Sequence, residues 1–355
     1  MNNLKKFYKG KRVFITGHTG FKGTWLSATL IEFGSNIMGY SLRDNRKNIY
    51  NKITFHDKIS NVYADILDYK YLEKKILKFN PEIIFHLAAQ SIVSKSYSEP
   101  LKTVRTNIDG TLNILEISKK IQNLKSLVII TSDKCYLNKE FNRGYKENDE
   151  LGGDDLYSAS KASAELIFNA YSKSFFNLQK KFGFAAVRAG NVIGGGDWSP
   201  NRIIPDCIRS IEKNTSLIIR NPNSTRPWQN VLDPIYGYLL LGAKLIDNQL
   251  KNTIFPSWNF GPNAENCKSV KYITENIIKK WGSTKSQIKY NKNLKFKEAG
   301  LLMLNNEKAK TELNWFPQLS LNHSLEWTTD WYKNYYYKSD MFDYSINQIK
   351  NYSEL

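Results

Sequence analysis

Between Arg12 and Leu30 the chain passes from an apolar run, Arg12-Val13-Phe14-Ile15-Thr16, through Gly17-His18-Thr19-Gly20-Phe21-Lys22-Gly23, into the helix-like Trp25-Leu26-Ser27-Ala28-Thr29-Leu30. A short apolar run bounded by glycine fits a strand buried on both faces, as in a parallel sheet. The glycines follow the spacing G-x-x-G-x-x-G. A strand that ends in a glycine turn and opens a helix presents backbone N–H groups and the positive end of the helix dipole to a pyrophosphate. The junction therefore predicts an α/β domain that binds a dinucleotide. Lys22 either adds a direct phosphate contact or is a solvated surface lysine.

The segments that follow keep the alternation. Residues 36–42 read as a second strand ending Tyr40-Ser41-Leu42-Arg43-Asp44. A dinucleotide-binding unit specific for NAD offers an acidic residue to the ribose there. Asp44 suits NAD, whereas Arg43 suits the extra phosphate of NADP. A third strand, Val62-Tyr63-Ala64, ends at Asp65, which either bonds the adenine or caps the helix that begins near Asp68. Residues 82–89 form a fourth buried strand closing on Leu87, Ala88 and Ala89, whose small side chains let a cofactor lie close. Residues 90–100 read as a polar loop and 101–120 as a long helix carrying Thr106. The fifth strand, 126–131, delivers Ser132, Asp133 and Lys134 at its carboxyl end. Ligands collect at that edge in open α/β sheets. Residues 144–155 are a glycine- and acid-rich loop, a helix runs from Tyr157 to about Lys173, and 184–188 make a sixth strand. The alternation predicts a doubly wound parallel sheet.

Tyr157 and Lys161 lie one helical turn apart. A lysine ammonium near a phenol favours the phenolate and draws its pKa down from about 10, which makes Tyr157 a proton acceptor. Any helix can carry such a pair by chance. The polar triad at the preceding strand end gives the pair a partner across the cleft.

From Ala189 the texture changes. Residues 190–198 are loop-like, and Arg202 and Arg226 stand on loops beside Trp198 and Trp228. Paired arginines facing a cofactor site suit a diphosphate. The tryptophans either line a base or sugar pocket or belong to the core. The tail after Thr329, with Tyr335-Tyr336-Tyr337, is aromatic and polar without a clear period.

Bulk properties narrow the function classes. A chain of 355 residues with 41% hydrophobic and 24% charged residues is ordinary for a soluble enzyme. The start, Met1 to Lys6, is basic and runs into a strand-like segment, not an apolar signal core. No stretch approaches the ~20 apolar residues that cross a bilayer, so no membrane partner and a cytoplasmic location are expected. Cys135, Cys207 and Cys267 are far apart, and with four scattered histidines they indicate neither a disulfide framework nor a metal site. The net charge of +18 is spread along the chain, without the basic, aromatic-interleaved run that a nucleic-acid groove needs. It reads as a positive field that helps collect a diphosphate substrate.

The strings TGHTGFKG, TSDKCY, YSASK, RAGNVIGGGDW, RIIPDCIR, STRPWQNVLDP and WNFGP together resemble the extended short-chain dehydrogenase/reductase family, in its NAD-dependent epimerase/dehydratase division. They are most similar to the sugar-nucleotide 4,6-dehydratases of the CDP-glucose branch. The resemblance spans roughly residues 8–333. It implies a Rossmann domain over residues 1–190 with contributions from about 226–262, and a smaller, interleaved C-terminal substrate-binding domain over 191–225 and 263–333, with 334–355 as a tail. It implies NAD held by Gly17, His18, Thr19, Gly20, Phe21, Lys22, Gly23, Asp65, Ile66, Leu87, Ala88, Ala89, Thr106, Tyr157 and Lys161. Tyr157, Lys161, Ser132, Asp133 and Lys134 would be catalytic. Asn191, Arg202 and Arg226 would hold the sugar nucleotide. Related 4,6-dehydratases carry glutamate where this chain has Lys134, so Lys134 is either a neutral base or a stabiliser of the enolate. A homodimer or dimer of dimers is implied, through helices holding residues 103–119 and 157–173. The competing reading on this scaffold is a sugar-nucleotide 4-epimerase, which has no leaving group for Asp133 to protonate.

Overall fold

The structure, a computed structural model, describes residues 2–43, 50, 56–179, 181–219, 221–247, 256–282, 288–290, 301–337 and 339–355. Asp44 lies outside the described residues.

Seven strands form one parallel sheet: β1 (Arg12–Thr16), β2 (Asn36–Ser41), β3 (Ser60–Tyr63), β4 (Ile83–His86), β5 (Ser126–Ile130), β6 (Gly183–Ala189) and β7 (Ser257–Phe260), in the order β7-β6-β5-β4-β1-β2-β3. Successive side chains of a strand point to opposite faces. Val13 and Ile15 of β1 accordingly join one apolar cluster and Phe14 the other. In the same way Phe85 and Val128 face one layer while Ile84 and Leu127 face its opposite. Both faces are covered, which is why these strands read as continuous apolar runs. The strand order reverses between β1 and β4, and a crevice opens there at the carboxyl ends of the strands.

The helices are α1 (Asn2–Tyr8), α2 (Phe21–Glu32), α3 (Tyr69–Phe79), α4 (Val93–Ser98), α5 (Pro100–Ser118), α6 (Leu156–Tyr171), α7 (Ile203–Glu212), α8 (Leu232–Ile246), α9 (Val270–Trp281), α10 (Glu307–Leu313), α11 (Leu321–Tyr336) and α12 (Met341–Glu354). Asp68 caps α3 through Tyr71 N, Asp155 caps α6 through Ser158 N, and Ser320 caps α11 through His323 N. Each such cap contributes about 1 kcal/mol. Three short strand pairs, Val192–Ile193 with Gln229–Asn230, Thr225–Pro227 with Cys267–Ser269, and Leu217–Ile219 with Ile288–Tyr290, accompany the chain beyond the sixth sheet strand.

Three segments differ from the sequence expectation. The basic start ahead of β1, for which no element is expected, is helix α1, anchored by the fully buried Tyr8, whose hydroxyl donates to Leu239 O at 2.8 Å. The expected polar loop at 90–100 contains helix α4. The aromatic tail is not loose: Trp331 and Tyr332 of α11 are fully buried. Trp331 Nε1 donates to Ser345 Oγ at 2.9 Å, and the Tyr352 hydroxyl donates to Asp233 Oδ1 on α8 at 2.8 Å. Aromatic rings large enough to fill a groove from either helix face blur the period by which such helices are read.

Candidate active site

A cavity of about 890 Å³ runs across the carboxyl edge of the sheet. Its floor is the glycine turn. Gly17 has φ +71°, and a Cβ there would stand 2.7 Å from Ala88 N. A Cβ on Gly23 would lie 2.1 Å from Gly17 O. The turn is thus pressed against the end of β4 and against itself, and only glycine fits. Gly20 at the α2 N-cap offers no side chain to the first N–H groups of the helix. Those donors are left to face the cavity, which suits the pyrophosphate of a dinucleotide. Thr16 Oγ1 accepts from Leu87 N and Ala88 N, each at 3.1 Å, and holds the ends of β1 and β4 together.

Of the residues expected at a cofactor, Gly17, Thr19, Gly20, Phe21, Lys22, Gly23, Asp65, Ile66, Leu87, Ala88, Ala89 and Thr106 all line the cavity. His18 does not. Its ring is fully buried, bonded through Nε2 to Asn61 Oδ1 at 3.0 Å, and packed where a Cβ on Gly39 would come within 2.4 Å. Its side chain holds β2 and β3 in place and is turned away from the cavity, a correction to its expected role. Asp65 is not the cap of α3, since Asp68 takes that position; Asp65 Oδ1 accepts from Leu67 N at 3.0 Å on the cavity wall. Arg43 also lines the cavity, with its guanidinium 5.1 Å from the Tyr63 ring centroid.

At the other end stand the residues of the two sequence strings. Tyr157 and Lys161 lie in the first turns of α6, each 7% exposed. Ser132, Asp133 and Lys134 sit where β5 gives way to a single 3-10 turn. Ser132 Oγ donates to Asp133 Oδ1 at 2.9 Å. Among the described residues Asp133 Oδ2 has no hydrogen-bond partner, and it is buried against Gly190, where a Cβ would stand 3.1 Å away. Burial pushes the Tyr157 phenol up to about 12, and the neighbouring Ser132 hydroxyl and Arg202 guanidinium pull it back. The expected lowering by Lys161 is replaced by that balance. Lys161 itself is drawn down to about 8 by desolvation.

Asn191, Arg202 and Arg226 complete the wall. Arg202, at the N-cap of α7, is paired with Asp197 at 3.0 Å. Arg226 is 6% exposed and its Nη1 donates to Thr225 O at 2.9 Å. Both tryptophans line the cavity and are also part of the core: Trp228 Nε1 donates to Lys268 O at 2.8 Å, and Trp198 packs edge-on against Tyr332 at 5.1 Å. The loop that leads into Trp198 is clamped. Trp25 Nε1 of α2 donates to Gly195 O at 3.0 Å, a Cβ on Gly195 would meet Trp331 Cγ at 1.9 Å, and the Tyr332 hydroxyl donates to Asp197 O at 2.6 Å.

The chain matches the GDP-mannose 4,6 dehydratase family over residues 14–328. It belongs to that family. It is 43% identical to the CDP-glucose 4,6-dehydratase of Salmonella typhimurium (strain LT2), over 98% of this chain and 98% of that protein. Among solved structures, dTDP-glucose 4,6-dehydratase of Bacillus anthracis str. Ames, in complex with NAD, superposes with a TM-score of 0.74 at 25% identity, covering 92% of this chain and 97% of that one. An epimerase of Methanothermobacter thermautotrophicus shares the fold with a TM-score of 0.81 at 24% identity, covering 94% and 96%.

Supporting residues of this family member escaped the motif reading. Glu165, one turn beyond Lys161, is ion-paired with Arg188 of β6 in full burial. Burial alone would raise the Glu165 carboxyl, but the Arg188 guanidinium more than offsets this and holds it below the usual carboxylate range. Asn107 of α5 accepts from Gln90 N at 2.8 Å and donates to Ser160 Oγ at 2.8 Å, joining the loop after β4 to the helix of Tyr157 and Lys161. Polar residues inside helices give no sign in sequence of what they will meet from a distant strand.

Proposed function

We propose that the protein is a sugar-nucleotide 4,6-dehydratase, a hydro-lyase that converts CDP-glucose to CDP-4-dehydro-6-deoxy-glucose with NAD as its cofactor. One observation carries this reading. The Tyr157–Lys161 pair, the Ser132-Asp133-Lys134 turn and two arginines all face one cavity whose floor is a glycine turn built for a pyrophosphate. The Salmonella relative supports the cytidine nucleotide and the Bacillus anthracis structure supports NAD.

The residues divide the work by position. The glycine turn, with Thr19, Phe21 and Lys22, would hold the cofactor pyrophosphate, Asp65 and Ile66 the adenine end, and Ala88, Ala89 and Thr106 the middle. Arg43, stacked on Tyr63, tolerates NAD without requiring a further phosphate. NAD held there would supply the group that takes a hydride from sugar C4 and gives it back at C6. Tyr157 takes the proton of the C4 hydroxyl, Ser132 donates a hydrogen bond to the C4 oxygen, and Lys161 orients the cofactor ribose. A ketone at C4 acidifies the C5 hydrogen. Lys134 then acts either as a neutral base at C5 or as a cation that stabilises the enolate. Asp133 protonates the departing C6 hydroxyl, so water leaves and no net oxidation remains. Asn191 and Arg226 hold the diphosphate with Arg202.

We place its work in the cytoplasm, in keeping with three free cysteines. Among the described residues no helix is long and apolar enough to cross a membrane. We propose a dimer through α5 and α6, on which Leu101 and Leu166 stand 67% and 57% exposed. Incubation with CDP-, dTDP-, GDP- and UDP-glucose, followed by the absorbance of 4-keto sugars in base, tests the assignment. Product from CDP-glucose alone is expected. Product only from another nucleotide overturns the substrate, and a C4 epimer in place of a 4-keto-6-deoxy sugar overturns the reaction.

A further inference from the structure

Ser132 has one hydroxyl proton and two claims upon it. Its Oγ accepts from Lys134 N at 3.3 Å and so caps the short turn that carries Asp133 and Lys134. The proton itself goes to Asp133 Oδ1 at 2.9 Å, and the two residues are 8% and 3% exposed. The Asp133 carboxyl has little room to leave that bond. A Cβ on Gly190 would stand 3.1 Å from its Oδ2 and 3.0 Å from Pro227 Cγ, so Gly190 lies closely against it. In the reaction set out above, the C4 oxygen of the sugar needs the same proton. One hydroxyl cannot donate to both at once.

The conflict disappears when the hydrogen bond follows the charge through the reaction. We propose that Ser132 hands its hydrogen bond from the C4 oxygen to Asp133 as water leaves, and so serves the elimination as well as the oxidation. This rests on the dehydratase reading given above and adds a second duty for Ser132.

Once the C5 proton has gone, negative charge sits on the C4 oxygen of an enolate, where Ser132 donates to it, and Asp133 still holds its proton. The enolate electrons then restore the C4 carbonyl and form the C5–C6 double bond. The C6–O bond breaks, and the departing oxygen takes the Asp133 proton and leaves as water. Negative charge has passed from the C4 oxygen to the Asp133 carboxylate. A hydrogen bond to an ionised acceptor is roughly twice as strong as one to a neutral acceptor. The hydroxyl is therefore drawn across, into the bond to Oδ1 that the structure shows. The proton that Asp133 gives up is balanced by the one Tyr157 takes from the C4 hydroxyl, and exchange with solvent resets both.

A leaving group that needs no proton separates the two duties of Ser132. From CDP-6-deoxy-6-fluoro-glucose the C6 substituent leaves as fluoride and Asp133 keeps its proton, yet the sugar formed is the same 4-keto-5,6-ene as from CDP-glucose. Rapid-quench mass spectrometry of a single turnover by the NAD-loaded protein follows the 4-ketone that still carries its C6 substituent. Ser132→Ala is expected to slow formation of that ketone alike for the two sugars. It is expected to slow the loss of water about tenfold or more beyond its effect on the loss of fluoride. Ser132→Thr keeps the hydroxyl and is expected to restore both steps. Should the lost cap unfold Ser132→Ala, the isosteric pair Ser132→Thr and Ser132→Val carries the same comparison. Equal slowing of water and fluoride loss, which a cap of purely structural effect would give, overturns the hand-over and leaves the dehydratase reading in place. A wild type that makes a C4 epimer, or no 4-keto-6-deoxy sugar, removes that reading and the hand-over with it.

Discussion

Arg188 of β6 grips Glu165 of α6 through Nε, at 2.8 Å to Oε1 and 2.9 Å to Oε2, with the two side chains 2% and 0% exposed. Thr131, the residue before Ser132, donates its hydroxyl to the same carboxylate. The strand end that carries the Ser132-Asp133-Lys134 turn and the helix that carries Tyr157 and Lys161 are therefore fastened to one buried charge pair.

Removing one member leaves the other charged and sealed from water. Arg188→Met is expected to cost about 3–5 kcal/mol of stability. Arg188→Met combined with Glu165→Leu is expected to lose distinctly less, because no isolated charge remains. Urea unfolding of the single and double variants measures the difference, and a double variant as unstable as the single one would refute the account.

Lys134→Ala separates the two halves of the reaction. It is expected to oxidise C4 but to leave the C6 hydroxyl in place, so that a single turnover yields a 4-keto sugar nucleotide with no loss of water. Mass spectrometry in deuterium oxide reads this directly: the wild type carries deuterium at C5 of its product. Normal release of 4-keto-6-deoxy product by the variant would remove Lys134 from the elimination.

The glycine turn ranks its own substitutions. Gly23→Ala drives a methyl to 2.1 Å from the backbone oxygen of Gly17, whereas Gly20→Ala meets the same oxygen at 3.3 Å. Backbone cannot yield as a flexible side chain can. A displacement of the turn by about an ångström lowers NAD affinity by about a hundredfold in Gly23→Ala, and Gly20→Ala retains most of it. Equal losses in a cofactor-retention assay would contradict this ranking.

Asp233 makes stability fall with pH. Burial raises its carboxyl to about 6 from an ordinary 3.8, against hydrogen bonds from Gln318 N and the Tyr352 hydroxyl. A carboxyl raised on folding binds its proton more tightly in the native state. Its stabilisation is complete below the unfolded value and is lost as pH rises through the folded one. Relative to Asp233→Asn, the wild type should lose about 3 kcal/mol in all as pH rises from 3 to 7, about 2 kcal/mol of it between pH 4 and 6. A wild-type-minus-variant difference that stays flat across that range, measured by denaturant unfolding, would show that Asp233 is ionised at no cost.

Much of this was readable because its causes are local. The strand–glycine–helix junction follows from the needs of Gly17 and Gly23, and the parallel sheet follows from runs such as Ile83 to Phe85 that must be apolar on both faces. What escaped reading depends on partners distant in sequence. His18 looks like a phosphate-turn residue until Gly39 and Asn61 claim its ring. Glu165 follows Lys161 by one turn, and nothing near it in sequence announces the Arg188 that meets it from β6. Tyr157 looks activated by its lysine until burial outweighs that neighbour and leaves Ser132 and Arg202 to oppose it.

The clamp on Gly195 also orders events in time. A ribosome releases the glycine turn, Tyr157 and Arg202 long before α11, yet the loop of Gly195 and Asp197 is gripped from both sides only when Trp331 and Tyr332 have arrived. The backbone of the counter-ion of Arg202 is thus fixed by a hydroxyl 135 residues further along the chain.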